Sequence, residues 1–281
     1  MKKYLSLIKF SHTIFAMPFA LIGYFLAVKD YGFSIDLLVK VILCMIFARS
    51  SAMAFNRYVD RDIDKKNKRT AKIREIPNGS ISPKNALIFT FINIFLFITT
   101  TFFINSLCFI LSPVALIIIL GYSYTKRFTF LCHLILGLGL SLAPIGAYLA
   151  VANEFNLQPI LFAFTVLFWV SGFDIVYSLQ DESFDSNENL YSIPVKFGKE
   201  NALNISKFFH FVVFLILFFI GTKFRFDEYY WIGFTVFVSL LIFQHSVITI
   251  NNLANINLAF FTTNGIASII FSIFVIADII L

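Results

Sequence analysis

Residues 86–122 read ALIFTFINIFLFITTTFFINSLCFILSPVALIIILGY, a run without one charged side chain. A helix needs roughly 20 apolar residues to cross the hydrocarbon of a bilayer, so this run is too long for one crossing and suits two. Asn105-Ser106 near its middle predicts the tip of a tight helical hairpin, with Pro113 in the early turns of the second helix. Working outward, the same reading gives nine spans, over 14–28, 35–55, 86–104, 107–122, 130–151, 160–179, 202–221, 230–250 and 256–281. Composition agrees: 59% of the 281 residues are hydrophobic and 14% charged, about half the charge of soluble chains. The expected fold is an all-α integral membrane bundle of about nine helices, a single domain over residues 1–281.

Lys2 and Lys3 precede the first apolar run as in a secretion signal, but no small-residue cleavage site follows near Ala27-Val28, so a retained first helix is expected. Cys44, Cys108 and Cys132 lie in apolar stretches with no metal-like spacing, which implies neither a disulfide framework nor a zinc site. Phe occurs 38 times. Because Ile, Asn and Lys are also frequent, coding bias is the first explanation, and an aromatic wall around a greasy or cationic intermediate is the second.

Loop charge sets orientation. With the N-terminus in the cytoplasm, that side receives seventeen Lys and Arg and the other only Lys29, Lys40, Lys223 and Arg225. The net charge of +6 is therefore topology and requires no nucleic acid.

The basic face also carries acids. After the second span the chain reads NRYVDRDID, placing Asn56, Asp60 and Asp64 four apart. After the sixth it reads DIVYSLQDESFD, with Asp174, then Tyr177, Asp181 and Asp185 four apart. Residues four apart share one face of a helix. The clusters stand four spans apart, which suggests a pseudo-repeat of two four-helix units plus a final helix. Stacked carboxylates near an interface repel one another unless a cation neutralises them. Oxygen ligands without Cys or His favour Mg²⁺, which binds one or two carboxylates and completes its shell with phosphate oxygens. Arg61, Lys68, Arg69, Lys72 and Arg74 follow the first cluster, and Lys126-Arg127 closes the fourth span. One such acid pair is usually a solvated helix end. Two at equivalent helix ends, ringed by bases, describe a diphosphate clamp. Neither run has the glycine and terminal glutamate of a calcium-binding EF-hand.

Arg49 lies within the second span, seven residues before Asn56 and hence on the same helix face. An arginine there costs about 2.5–3.5 kcal/mol, so it is paired with an aspartate, snorkels to the interface, or binds substrate. Asn93, His133, His210, Gln244 and His245 read as interhelical hydrogen-bonding groups, and Trp169 and Trp231 as packing or interface anchors. An ion-coupled transporter would carry its ionisable groups near mid-span, whereas here all but Arg49 cluster at one end. A non-enzymatic scaffold would have no need of a full set of metal-type ligands.

The paired motifs resemble those of the UbiA superfamily of intramembrane prenyltransferases. SHTIFAMPFALIGY at 11–24, ARSSAMAFNR at 48–57, REIPNGSIS at 74–82 and Tyr122-x3-Lys126-Arg127 add to the resemblance, which covers roughly residues 10 to 200. Within it, the 4-hydroxybenzoate polyprenyltransferases are most similar. The resemblance implies a bundle around a central cavity open sideways to lipid, in a bacterial inner membrane with its active site near the cytoplasmic face. It implies Mg²⁺ held by Asn56, Asp60 and Asp64 and by Asp181 and Asp185. Diphosphate would lie on Lys126, Arg74, Arg61 and Arg127, with Tyr122 and Tyr177 near the reacting carbon and Asp174 in the second motif. The partners implied are a polyprenyl diphosphate and a small aromatic acid, 4-hydroxybenzoate or else a dihydroxynaphthoate; the sequence implies no obligate protein partner. Arg49 would bind the acceptor carboxylate. Where many members carry a further arginine in the first span, His12 or Lys9 would stand in. One departure is Arg57, where the common pattern has Asp.

Overall fold

Helix-start signals explain where the elements begin. Ser34, Ser82, Asn105, Asn156 and Ser192 each accept a hydrogen bond from a backbone N–H two or three residues on, meeting one of the orphan donors of a helix N-terminus. The computed structural model describes residues 2–8, 16–250, 253 and 256–281; Lys9 and His12 lie outside them. In order come α1 (Lys2–Leu7), α2 (Met17–Tyr31), α3 (Ile35–Val59), α4 (Arg61–Lys66), α5 (Pro83–Phe102) and α6 (Ser106–Thr125). Then follow α7 (Cys132–Ala152), α8 (Leu157–Ser178), α9 (Glu182–Asn187), α10 (Ile193–Lys223), α11 (Glu228–Val247) and α12 (Asn264–Ile280), the last preceded by a π-helical segment, Leu258–Thr263. Among the described residues, eight helices are long and apolar enough to cross a membrane, and α2 occupies the first expected span. Large apolar side chains such as Phe95, Ile117 and Ile242 are more than 60% exposed, which suits a surface solvated by lipid.

The hairpin tip falls at residues 103–105. Asn105 caps α6 and donates through Nδ2 to the Leu149 carbonyl at 2.8 Å, tying the tip to α7. Pro113 leaves α6 unbroken. The Phe109 carbonyl that loses its usual donor to the proline ring receives the Ser112 hydroxyl at 2.8 Å instead. Two boundaries differ from the expectation. The helix expected at 202–221 begins at Ile193 and bends at Gly198, whose φ of 79° suits glycine. The acid run at 56–64 is not one helix, because Asp60 ends α3 and α4 starts after it. Backbone bonds from Asp60 N to Asn56 O and from Asp64 N to Asp60 O preserve the four-residue register across that corner.

The bundle is solid on one side and hollow on the other. Helices α2, α8, α11 and α12 pack Phe19, Trp169, Phe237 and Phe271 into one aromatic core. There Trp169 Nε1 donates to Asn264 Oδ1 at 2.9 Å. Helices α3, α5, α6 and α7 enclose a cavity of about 350 Å³, lined largely by small and apolar side chains. α7 is shared by both halves, packing on α2 and α8 as well as on α6.

Candidate active site

Both acidic clusters are built alike and lie at one end of the bundle. A spanning helix ends, an aspartate marks the corner, and a short helix carries a second aspartate one turn on: Asp60 and Asp64 at α3–α4, Asp181 and Asp185 at α8–α9. The acids do not point into bulk solvent. Asp60 and Asp64 are 2% and 3% exposed. Buried charges must be paired, and these are. Asp60 accepts from Asn56 Nδ2 at 3.1 Å and pairs with Lys126 Nζ at 3.1 Å and Arg127 Nη2 at 3.5 Å. Asp64 pairs with Arg74 and lies 3.5 Å from the Thr70 hydroxyl.

The loop after α4 joins the two corners. Asn67 Nδ2 donates to Asp181 at 3.1 Å, and the fork of Arg69 donates to both Asp181 oxygens and, at 3.0 Å, to the Tyr177 hydroxyl. Partial burial works against the Arg69 charge, but its bonds to Asp181 and Tyr177 outweigh that and raise its pKa. Burial, with Asp181 adding to it and Lys126 opposing, pushes the Asp185 carboxyl up to about 6. An added cation between Asp181 and Asp185 would favour the ionised form.

This donor set fits a divalent metal of magnesium's kind. The candidate ligands are all oxygen, from carboxylates and the Asn56 amide. Among the described residues no three His, Cys, Asp or Glu side chains gather into a ready-made cage. Two carboxylates per corner leave coordination positions for substrate oxygens, which is how Mg²⁺ is usually held.

Beneath the clusters lies the cavity. Tyr122, on its wall, stands where Arg49, Arg57, Asp60 and Asp174 all act on it. Arg49 lines the same cavity, and its buried Nε has no hydrogen-bond partner among the described residues. Among the described residues it forms no pair with a carboxylate, so the structural ion pair weighed from the sequence is not what holds it. Wall residues Val114 and Phe155 are 52% and 57% exposed, which opens the cavity towards the lipid-facing surface. The whole is a charged cap over an apolar chamber with one guanidinium at its upper end.

Residues 16–266 match the model of the UbiA prenyltransferase family. The chain belongs to that family. It is similar to the 4-hydroxybenzoate octaprenyltransferase of Vesicomyosocius okutanii, 31% identical over 229 residues that cover 81% of this chain and 82% of the relative. It is also similar to that of Francisella tularensis subsp. tularensis, 29% identical over 250 residues covering 88% and 84%. The solved UbiA homolog from Aeropyrum pernix superposes with a TM-score of 0.85 at 27% identity, over 95% of this chain and 98% of that one. A UbiA homolog from Archaeoglobus fulgidus, solved bound to GPP and Mg²⁺, shares the fold at a TM-score of 0.74 and 22% identity, over 99% and 100%.

In this UbiA family member the expected residues do not all stand where the sequence put them. Asn56, Asp60, Asp64, Asp181, Asp185, Tyr122, Tyr177, Lys126, Arg127 and Arg74 come together at the cap. Arg74, Lys126 and Arg127, expected on diphosphate, are engaged by aspartates here. Arg61 turns aside: it donates to the Tyr58 carbonyl at 2.8 Å, stacks over the Tyr58 ring and meets Asp62 at 3.8 Å. His12 lies outside the described residues. Asp174 is held by His133 Nδ1 at 2.7 Å, across α7 and α8, so His133 is indeed an interhelical group, as is His210, 2.8 Å from His245. Asn93 instead donates to Phe89 O in its own helix, and the buried Gln244 amide has no hydrogen-bond partner among the described residues.

Sequence reasoning missed the bridging role of Asn67 and Arg69, since only the fold brings their loop against α8. It also left Arg57 without a role. This arginine is 6% exposed, its Nε has no partner among the described residues, and it lies among Arg74, Asp64, Tyr122 and Glu75.

Proposed function

We propose that this protein transfers a polyprenyl chain from its diphosphate to a ring carbon of 4-hydroxybenzoate, a step of quinone biosynthesis, in a bacterial inner membrane with the cap on the cytoplasmic side. The observation that carries the acceptor is Arg49: a guanidinium with no partner among the described residues, at the top of an apolar chamber beside the acid cap. Its planar fork suits a carboxylate. The names of the relatives support the same acceptor, and seventeen basic residues on one face support the orientation.

Asn56, Asp60 and Asp64, with Asp181 and Asp185 opposite, would hold Mg²⁺, which supplies positive charge to a bound diphosphate. Lys126, Arg127, Arg74 and Arg69 exchange their aspartate partners for diphosphate oxygens. Positive charge is then fixed where negative charge develops as the carbon–oxygen bond breaks and its electron pair leaves with the diphosphate. The chamber keeps water from the resulting allylic cation, and the Tyr122 and Tyr177 rings can each stabilise it by roughly 0.5–2 kcal/mol. Arg49 holds the acceptor so that the ring carbon beside the phenol bonds to the cation, after which the ring loses its proton. Asp174, fixed by His133, and the departed diphosphate are the two bases at hand.

The test is the purified protein with a prenyl diphosphate and a panel of aromatic acids, with and without Mg²⁺. Prenylated 4-hydroxybenzoate formed only with the metal supports the reading. Preference for a dihydroxynaphthoate replaces the acceptor, and no diphosphate release with any acid overturns it.

A further inference from the structure

Trp169, Phe173 and Tyr177 stand four apart on one face of α8, and Asp181 follows at the same spacing just past its end. The π-helical segment Leu258–Thr263, with Asn264 after it, meets all three rings. Asn264 accepts the Trp169 indole N–H at 2.9 Å. The Phe260 ring stands edge-on to Phe173, 5.2 Å between centres, and lies 4.2 Å from the Tyr177 ring at a tilt of 33°. Phe261 adds an edge contact with Tyr177 at 5.8 Å.

Side chains hold this turn in place. An α-helix closes its backbone bonds four residues back and a π turn five. Here Thr263 Oγ1 donates to the Leu258 carbonyl and Asn264 Nδ2 to the Ala259 carbonyl, each five back and at 3.0 Å. Asn264 Nδ2 also reaches the Phe260 carbonyl at 3.0 Å. Irregular turns within helices usually trace to proline or glycine, and Leu258–Thr263 contains neither. π turns are rare and frequently sit at functional sites. What this one brings to the cap is Phe260.

Tyr177 is thus held at two places. Its hydroxyl receives Arg69 at 3.0 Å, and its ring rests on Phe260. The first tether responds to substrate, because Arg69 exchanges Asp181 for diphosphate oxygens in the reaction described above. The second does not, and a tilted aromatic pair fixes ring orientation as an aliphatic neighbour cannot.

Resting on the transferase reading above, we propose that Phe260 is a positioning residue for prenyl transfer: the π turn holds its ring against Tyr177, and that contact keeps the Tyr177 ring directed at the allylic carbon while Arg69 changes partners. Phe260 acts through Tyr177 and leaves the grip on both substrates to the cap and Arg49.

The experiment measures steady-state transfer from geranyl diphosphate to 4-hydroxybenzoate, with thermal unfolding followed in parallel. The proteins are wild type, Phe260→Leu, Phe260→Tyr, Tyr177→Leu and the double variant Phe260→Leu/Tyr177→Leu. Misplacing a group at the reacting centre by about 1 Å can cost about a hundredfold, so Phe260→Leu is expected to lower kcat about tenfold or more. Both KM values are expected to stay within about twofold, since ground-state binding is untouched. Phe260→Tyr keeps a ring and is expected to hold kcat within about threefold of wild type. In the Tyr177→Leu background the loss of Phe260 is expected to cost less than about twofold more, because residues that act through one another are not additive. An equal loss in both backgrounds, a fall as deep in Phe260→Tyr as in Phe260→Leu, or a rise in KM alone overturns the role. Should Phe260→Leu fail to fold, Phe260→Met takes its place; should Tyr177→Leu have no measurable turnover, the ratio of kcat in Phe260→Tyr to that in Phe260→Leu decides. A wild type that transfers nothing refutes the transferase reading and this role with it, whereas with an active wild type the variants test Phe260 alone.

Discussion

Replacing Arg49 with methionine separates a substrate ligand from a structural cation, because the two roles predict opposite signs. Its Nε is buried, and among the described residues that atom has no hydrogen-bond partner and no carboxylate pairs with the side chain. Holding such a charge within a span costs about 2.5–3.5 kcal/mol, and a methionine of similar length removes that cost. Arg49→Met is therefore expected to unfold at the wild-type temperature or above it. Acceptor binding moves the other way. Truncating one partner of a buried, hydrogen-bonded charge pair costs about 2–5 kcal/mol, or roughly thirty- to several-thousandfold at 1.4 kcal/mol per factor of ten. That loss belongs in the KM for 4-hydroxybenzoate, while the KM for prenyl diphosphate, gripped at the cap, changes little. The assay is steady-state transfer of a labelled prenyl group with each substrate varied in turn, beside thermal unfolding in the same detergent. A destabilised variant with an unaltered acceptor KM would refute the role given to Arg49.

Three further outcomes follow from the cap and the core. Removing divalent metal with EDTA is expected to stop turnover while the unfolding temperature stays nearly constant, since the fold is held by the aromatic core around Trp169; restored Mg²⁺ returns the activity. Arg69→Lys keeps the charge but loses the fork that joins both Asp181 oxygens and Tyr177, so transfer at low prenyl diphosphate is expected to fall about tenfold or more, the worth of one charge-assisted bond. Trp169→Phe strands the Asn264 side chain that now accepts the indole N–H. It is expected to cost about 1–3 kcal/mol of stability, read by unfolding, with both KM values unchanged.

Much of the bundle was legible in the sequence because lipid imposes a simple rule on length and polarity. Each of the nine apolar runs overlaps one of α2, α3, α5 to α8 and α10 to α12, and the break at Asn105 is a helix cap as well as a turn. The early start of α10 was not legible: its first turns carry Lys196, Lys199 and Glu200, which a search for apolar runs excludes. Asp60 and Asp64 could be found by their spacing, since the register survives the corner between α3 and α4. What spacing cannot give is partnership. Arg61 and Arg69 read alike as bases after an acidic motif, yet one folds back on Tyr58 and the other crosses to Asp181. Tertiary folding of the 67–82 loop decides that, and no local periodicity encodes it. The chamber was expected only through the family resemblance, because small residues on α3, α6 and α7 line a cavity only once those helices are assembled.

The central claim is that acids from two separate helix corners act on one diphosphate. A double-mutant cycle with Asp60→Asn and Asp181→Asn tests it most directly, measuring Mg²⁺-dependent binding of a non-hydrolysable prenyl diphosphate to wild type, both single variants and the double. Groups that share a ligand are expected to couple, the double variant departing from the sum of the single losses by about 0.5–3 kcal/mol. Losses that simply add, to within about 0.3–0.5 kcal/mol, would mean that the two corners act independently and would contradict the account.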